Sequence, residues 1–104
     1  MRSLIDIADE TARAHGLHGR SFELAGFDRK LRILVEEVGE VARALQDSEN
    51  ADVDYLTKAP TCTTDELLAM RAERQARTDH LRAELVQVAS LAIRWIDQMD
   101  GGEG

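Results

Sequence analysis

The chain has 104 residues, a formal net charge of −7, one cysteine and one proline. That length supports a single domain with one modest core, and the acidic balance argues against a nucleic-acid groove or an anionic membrane surface as the main partner. Cys62 on its own excludes an intramolecular disulfide and a thiolate zinc site, and no run of about 18 apolar residues marks a membrane span.

Aromatic residues are scarce, two Phe, one Tyr and one Trp, so Leu, Val, Ile and Ala in helical spacing carry the apolar content. That pattern predicts an all-α protein rather than a sandwich or barrel. The Met1-Arg2-Ser3 start leads into a short amphipathic stretch containing acids, which predicts a soluble, cytoplasmic protein.

In chain order, Ser3 caps a first helix, with Leu4, Ala8, Ala12 and His15 on one face, and Gly16 ends it. A turn over Gly16 to Ser21 follows. From Phe22 a helical pattern resumes, is interrupted at Gly26, and restarts with Asp28 as the cap of a long helix reaching about Asp47. Ser48 to Cys62 lacks periodicity. Thr63 followed by Glu66 reads as a capping box, and a mostly polar helix runs through Gln75. Thr78 and Asp79 predict a break or a second cap before the last helix, Leu81 to Met99, and Gly101 to Gly104 form a frayed tail.

The last helix is apolar over most of its circumference, which a chain of this size cannot cover alone. The expected assembly is a homodimer or a dimer of dimers, with Leu81 to Met99 near its centre. His15, His18 and His80 read as turn or cap residues, and Cys62 has no base nearby in the sequence to activate it.

Chemistry is concentrated in carboxylates carried on helices. Leu31, Leu34, Val35, Val38, Val41, Ala42 and Leu45 fall on one stripe, while Glu36, Glu37 and Glu40 cluster on the other side. A divalent cation would relieve the repulsion among them, and a solvated helix face with Arg32 and Arg43 as partners is the plainer alternative. Glu84 instead lies on the stripe of the last helix that should be buried, between Leu91 on one side and Val88 and Trp95 on the other. A carboxylate there requires a cation, a proton or a metal. Arg94, or Arg82 of a neighbouring copy, is the ion-pair alternative.

The run Glu36-Glu37-Val38-Gly39-Glu40, together with Glu84-Leu85-Val86-Gln87, resembles the paired helical motifs of the MazG-like all-α nucleoside triphosphate pyrophosphohydrolases. The family pattern is Glu-Glu-x-x-Glu on one helix and Glu-x-x-Asp on the next. The resemblance implies a helical bundle completed by oligomerisation and a single domain over residues 1–100, with residues 46–80 inserted between the motif helices. It also implies Mg²⁺, or Mn²⁺, as cofactor and hydrolysis of a nucleoside triphosphate to monophosphate and pyrophosphate. Glu37, Glu40 and Glu84 match metal ligands, with Gln87 at the position of the motif aspartate. Glu36 matches the first glutamate, as a further ligand or the base that orients water.

Gln87 supplies an oxygen but no charge, and 43 residues separate Glu40 from Glu84, longer than is usual for the family. Lys30, Arg32 and Arg94 are candidates for phosphate contacts, and Trp95 or Phe22 for stacking on a base. Surface cations and core packing are the corresponding plain readings. Two other functions compete: a non-catalytic helical interaction protein on the same scaffold, and a pyrophosphohydrolase acting on phosphoribosyl-ATP or a noncanonical nucleotide.

Overall fold

The computed structural model describes residues 2–18 and 21–101; the side chains of residues 12, 14–18 and 21 lie outside that description. Among the described residues there is no strand, as the composition predicts. The order is α1 (Arg2–His18), α2 (Ser21–Leu24), α3 (Phe27–Lys58), a 3₁₀ turn (Ala59–Thr61) and α4 (Thr64–Met99). No helix among the described residues is long and apolar enough to cross a membrane.

Several boundaries differ from the sequence expectation, each for a local reason. Gly16 does not end α1, which runs on to His18. The expected contacts of Ala12, His15 and His18 fall on side chains outside the described set, as do residues 102–104 of the expected tail. Asp28 sits inside the first turn of α3 rather than capping it, where its charge still favours the positive end of the helix dipole. The Gly26 carbonyl instead accepts the first bond, from the Lys30 amide at 2.9 Å.

α3 continues through the segment that lacks apolar periodicity, because the half-buried residues there, Ser48, Ala51 and Tyr55, keep helical spacing without being strongly apolar. Pro60 then enforces the stop, within the 3₁₀ turn. The break expected at Thr78–Asp79 is absent: Asp79 accepts a bond from Gln75 Nε2 at 2.8 Å, one turn back along an uninterrupted α4. His80 accordingly lies within α4 and not at a helix start.

The capping box is formed as the sequence predicts. The Glu66 amide donates to Thr63 Oγ1 at 3.2 Å, and the Thr63 amide donates to Glu66 Oε1 at 3.4 Å. Thr63→Ala is expected to lower stability by about 1 kcal/mol, read as a lower urea midpoint at unchanged slope.

The chain divides into two compact units, Met1–Gly39 with Leu85–Gly104, and Glu40–Glu84. In the second unit α3 and α4 run antiparallel on either side of the 3₁₀ turn. Ion pairs set their register: Arg74 Nε to Asp52 Oδ1 at 2.9 Å, and Arg77 Nη1 to Asp47 Oδ2 at 3.8 Å. The Arg74 guanidinium also lies 4.4 Å above the Tyr55 ring, and Ala44 is the buried apolar residue of this unit.

The first unit is unusual in what it buries. Beside Phe22, its buried side chains among the described residues are Glu23, Lys30, Ser90 and Arg94. Arg94 grips Glu23 with two parallel bonds, Nε to Oε1 at 2.6 Å and Nη2 to Oε2 at 2.9 Å. Lys30 Nζ donates to the carbonyls of Glu23 at 3.0 Å and Ala25 at 2.5 Å, and Gln98 Nε2 donates to the Glu23 carbonyl at 2.6 Å. The carbonyls left open at the end of the short α2 are thereby satisfied from α3 and α4. Phe22 fills the space beneath both cations, 5.1 Å from Arg94 and 5.7 Å from Lys30. The plain reading of Lys30 and Arg94 as surface cations is therefore incorrect.

The orientation of α3 also departs from expectation. Lys30 and Ala44 are buried, and Glu37 is half-buried midway between them. Leu31, Val35, Val38 and Leu45, placed by the sequence on the packed stripe, are exposed. Spacing explains the rotation. Residues 30, 37 and 44 are seven apart and share one face, so once Lys30 is drawn to the α2 carbonyls, Glu37 turns inward and Leu31, Val35, Val38 and Leu45 turn out, while Leu34 and Val41 of the same stripe stay half-buried.

Candidate functional site

In the first unit, Glu37 of α3 and Gln87 of α4 line a cavity of about 230 Å³, together with Arg29, Arg13 and the buried Ser90. Arg29, Ile33 and Glu37 reach it from successive turns of α3, and Gln87, Ser90 and Arg94 from successive turns of α4. Ser90 is fixed by a 2.6 Å hydroxyl–hydroxyl bond to Thr11, which in turn donates to the Ile7 carbonyl at 2.9 Å. Arg13 is committed to Glu10, with Nε 2.8 Å from Oε2 and Nη2 2.5 Å from Oε1. That hydrogen bond, reinforced by the carboxylate charge, pushes the Arg13 pKa up from its ordinary value. Arg29 has no carboxylate partner among the described residues, and it is the uncommitted cation of the cavity.

The remaining motif residues of this unit occupy other environments. Glu36 and Arg32 are exposed on α3 and form no ion pair with each other. Trp95 is half-buried against Phe22, edge-on at 6.5 Å between ring centroids, and against Phe27 at 6.0 Å with a 33° tilt. Its indole Nε1 is buried with no hydrogen-bond partner.

In the second unit, Glu40 pairs with Arg43 one turn along α3. Glu84 is recessed, as its helical position predicts, with 12% of its side chain exposed. His80 Nε2 approaches Glu84 Oε1 at 3.7 Å, and Glu84 Oε2 is buried with no hydrogen-bond partner. Within the chain, Arg94 is engaged with Glu23 by two hydrogen bonds, so its guanidinium is committed away from Glu84.

Register brings Glu84 level with Glu40. Glu40 lies seven residues before Asp47, and Glu84 seven after Arg77, the residues that pair across the two antiparallel helices. Seven residues return a helix to the same face within about 20°. Both glutamates thus take the positions, two turns along, that the ion pair takes. Among the described residues, however, no three His, Cys, Asp or Glu side chains are gathered as a metal ion would require.

Sequence reasoning did not single out Arg13, Arg29 or Ser90. Arg29 was within reach of it, since positions 29, 33 and 37 share one helical face, so extending that face back from Glu37 leads to it. Ser90 and Arg13 carry no such signal, because α1 comes to α4 only through tertiary contacts. A second, more open recess in the other unit is lined by Asp52, Arg71, Arg74, Gln75 and Thr78 and contains no motif residue. Arg71 there donates to Tyr55, which raises the Arg71 pKa.

No protein-family model, curated protein or solved structure matches this chain.

Proposed function

We propose that this protein is a cytoplasmic, Mg²⁺-dependent nucleoside triphosphate pyrophosphohydrolase of the MazG-like all-α kind, acting in nucleotide pool control. The observation that carries the reading is Glu84 Oε2, a buried carboxylate oxygen without a partner. A buried charge left unsatisfied is costly, and a divalent cation is the ligand that offsets that cost most completely. Glu40, level with Glu84 in the same unit, is the second candidate ligand; Glu37 and Gln87, the other family-matched positions, line the cavity of the first unit.

Mg²⁺, when bound, lowers the pKa of a coordinated water and neutralises polyphosphate charge. The chain's own residues are assigned the remaining work. Glu36 accepts the proton of the attacking water. The water oxygen bonds to the α-phosphorus, the α–β bridging bond breaks, and pyrophosphate leaves with the bridging oxygen. Arg29, uncommitted at the cavity, is assigned to the phosphate chain in place of Lys30 and Arg94, whose cationic groups are already engaged. At about 230 Å³ the cavity is below the roughly 300 to 1,000 Å³ usual for small-molecule sites, so it suits the phosphate end of a nucleotide and leaves the base outside.

The absence of a three-carboxylate group among the described residues and the amide at Gln87 favour a second reading, a non-catalytic helical interaction protein. Pyrophosphate release from a panel of triphosphates with Mg²⁺ separates the two. Release that disappears in Glu37→Gln supports the enzyme, and no release from any triphosphate leaves the second reading. Gln87→Asp is expected to tighten Mg²⁺ binding, because a carboxylate is the stronger ligand for a hard cation. Calorimetric titration showing unchanged affinity would place Gln87 outside the metal site.

A further inference from the structure

Thr11 and Ser90 join α1 to α4 through two hydroxyls, and counting their protons fixes the direction of the bond between them. Thr11 Oγ1 lies 2.9 Å from the Ile7 carbonyl oxygen, which can only accept, so the single Thr11 hydroxyl proton is committed there. The 2.6 Å bond between Thr11 Oγ1 and Ser90 Oγ is then donated by Ser90. The reverse direction would leave Thr11 Oγ1 and the Ile7 oxygen facing each other with no proton between them. Ser90 Oγ is therefore left with acceptor lone pairs, and among the described residues no donor reaches it.

Ser90 lines the cavity of about 230 Å³ although it is only 2% exposed, and Oγ is the one polar atom of its side chain. A buried acceptor at a cavity wall is complemented by a ligand that brings an O–H or N–H to it, which an ionised phosphate does not. The same cavity carries Arg29, a cation without a carboxylate partner among the described residues. A ligand that uses both groups combines an anionic group with a neutral donor, and a phosphorylated sugar is that combination. Gln87, one turn before Ser90 on α4, can present either end of its amide and imposes no such choice.

We propose that Ser90 reads the sugar, accepting a hydrogen bond from a ribose hydroxyl of a nucleotide whose phosphate lies against Arg29. The assignment rests on the nucleotide reading of this cavity, but on neither hydrolysis nor a metal. Arg29 treats ribonucleotides and dideoxynucleotides alike. Ser90 separates them, because only a hydroxyl supplies the proton that its oxygen lacks.

Nucleoside 5′-monophosphates test this directly, since they carry the phosphate and the sugar but have no α–β bond to break. The full chain is titrated calorimetrically with AMP, CMP, GMP and UMP and with their 2′,3′-dideoxy counterparts. At least one ribonucleotide is expected to bind, and its dideoxy form to bind about fivefold or more weakly, the loss of one net hydrogen bond. Ser90→Ala should bring that ratio close to one with unchanged helical circular dichroism. Ser90→Cys, which keeps the side chain but exchanges a strong acceptor for a weak one, should bring it most of the way. Arg29→Gln should weaken both forms alike. A purely structural Ser90 would move both affinities together and leave their ratio intact in the Ala and Cys variants, and that result overturns the proposal. A wild type that binds neither form, or both equally, overturns it too. Hydroxyl-dependent binding of monophosphates by a protein that releases no pyrophosphate from any triphosphate would uphold the role of Ser90 and remove the catalytic reading instead.

Discussion

Glu23→Ala is expected to be the most damaging single substitution for stability in this chain. It leaves Arg94 buried and without its carboxylate, and removing one partner of a buried pair costs about 3 to 5 kcal/mol. At about 4 °C or more per kcal/mol for a domain near this size, the melting temperature should fall by at least about 12 °C in thermal circular dichroism. Replacing both members with apolar residues, Glu23→Leu with Arg94→Met, should recover most of that loss, because no uncompensated charge then remains. Failure of the double replacement to recover stability would mean that Arg94 acts chiefly through its packing over Phe22. Arg94→Met alone should resemble Glu23→Ala in stability, the opposite of what a surface phosphate contact would show.

Glu84→Leu should act in the other direction when no divalent cation is present. The wild-type side chain keeps Oε2 buried without a partner, and relieving such a group is expected to gain about 1 to 3 kcal/mol. The His80 contact at 3.7 Å is too long for a strong bond and offsets little of this. Adding millimolar Mg²⁺ should then reverse the ranking. The wild type gains stability by binding the cation in its folded state, whereas Glu84→Leu and Glu84→Gln do not respond. Denaturant titrations of each protein with Mg²⁺ and with chelator read both effects. A wild type indifferent to Mg²⁺ would remove the metal from the proposed function, and a strongly destabilised Glu84→Leu would make Glu84 a structural residue.

These two variants probe separate properties of the chain. The Glu23–Arg94 pair, with Lys30 and Gln98 on the α2 carbonyls, holds the first unit together through polar groups where an apolar core would be expected. Such an interior is stable when its polar groups are paired; among the described side chains the buried atoms without a partner are the Trp95 indole N–H in the first unit and Glu84 Oε2 in the second. A bound ion is one way such a buried group is completed, which is why Glu84 bears the functional proposal.

By itself the sequence determined the helical class, the capping box at Thr63 and Glu66, and the recessed position of Glu84, since each depends on spacing within a single helix. It also marked the apolar row of α3, but not the side to which that row turns. Periodicity gives the angle between residues on a helix and leaves the rotation of the helix about its axis undetermined. Tertiary contacts decide that rotation, and here the deciding contact is Lys30, drawn to the carbonyls of Glu23 and Ala25. For the same reason the continuity of α3 beyond Asp47 and of α4 through Asp79 was not legible. Both stretches are held by contacts such as Arg74 with Asp52 and Tyr55, in which charge and ring stacking replace the apolar pattern that a sequence displays.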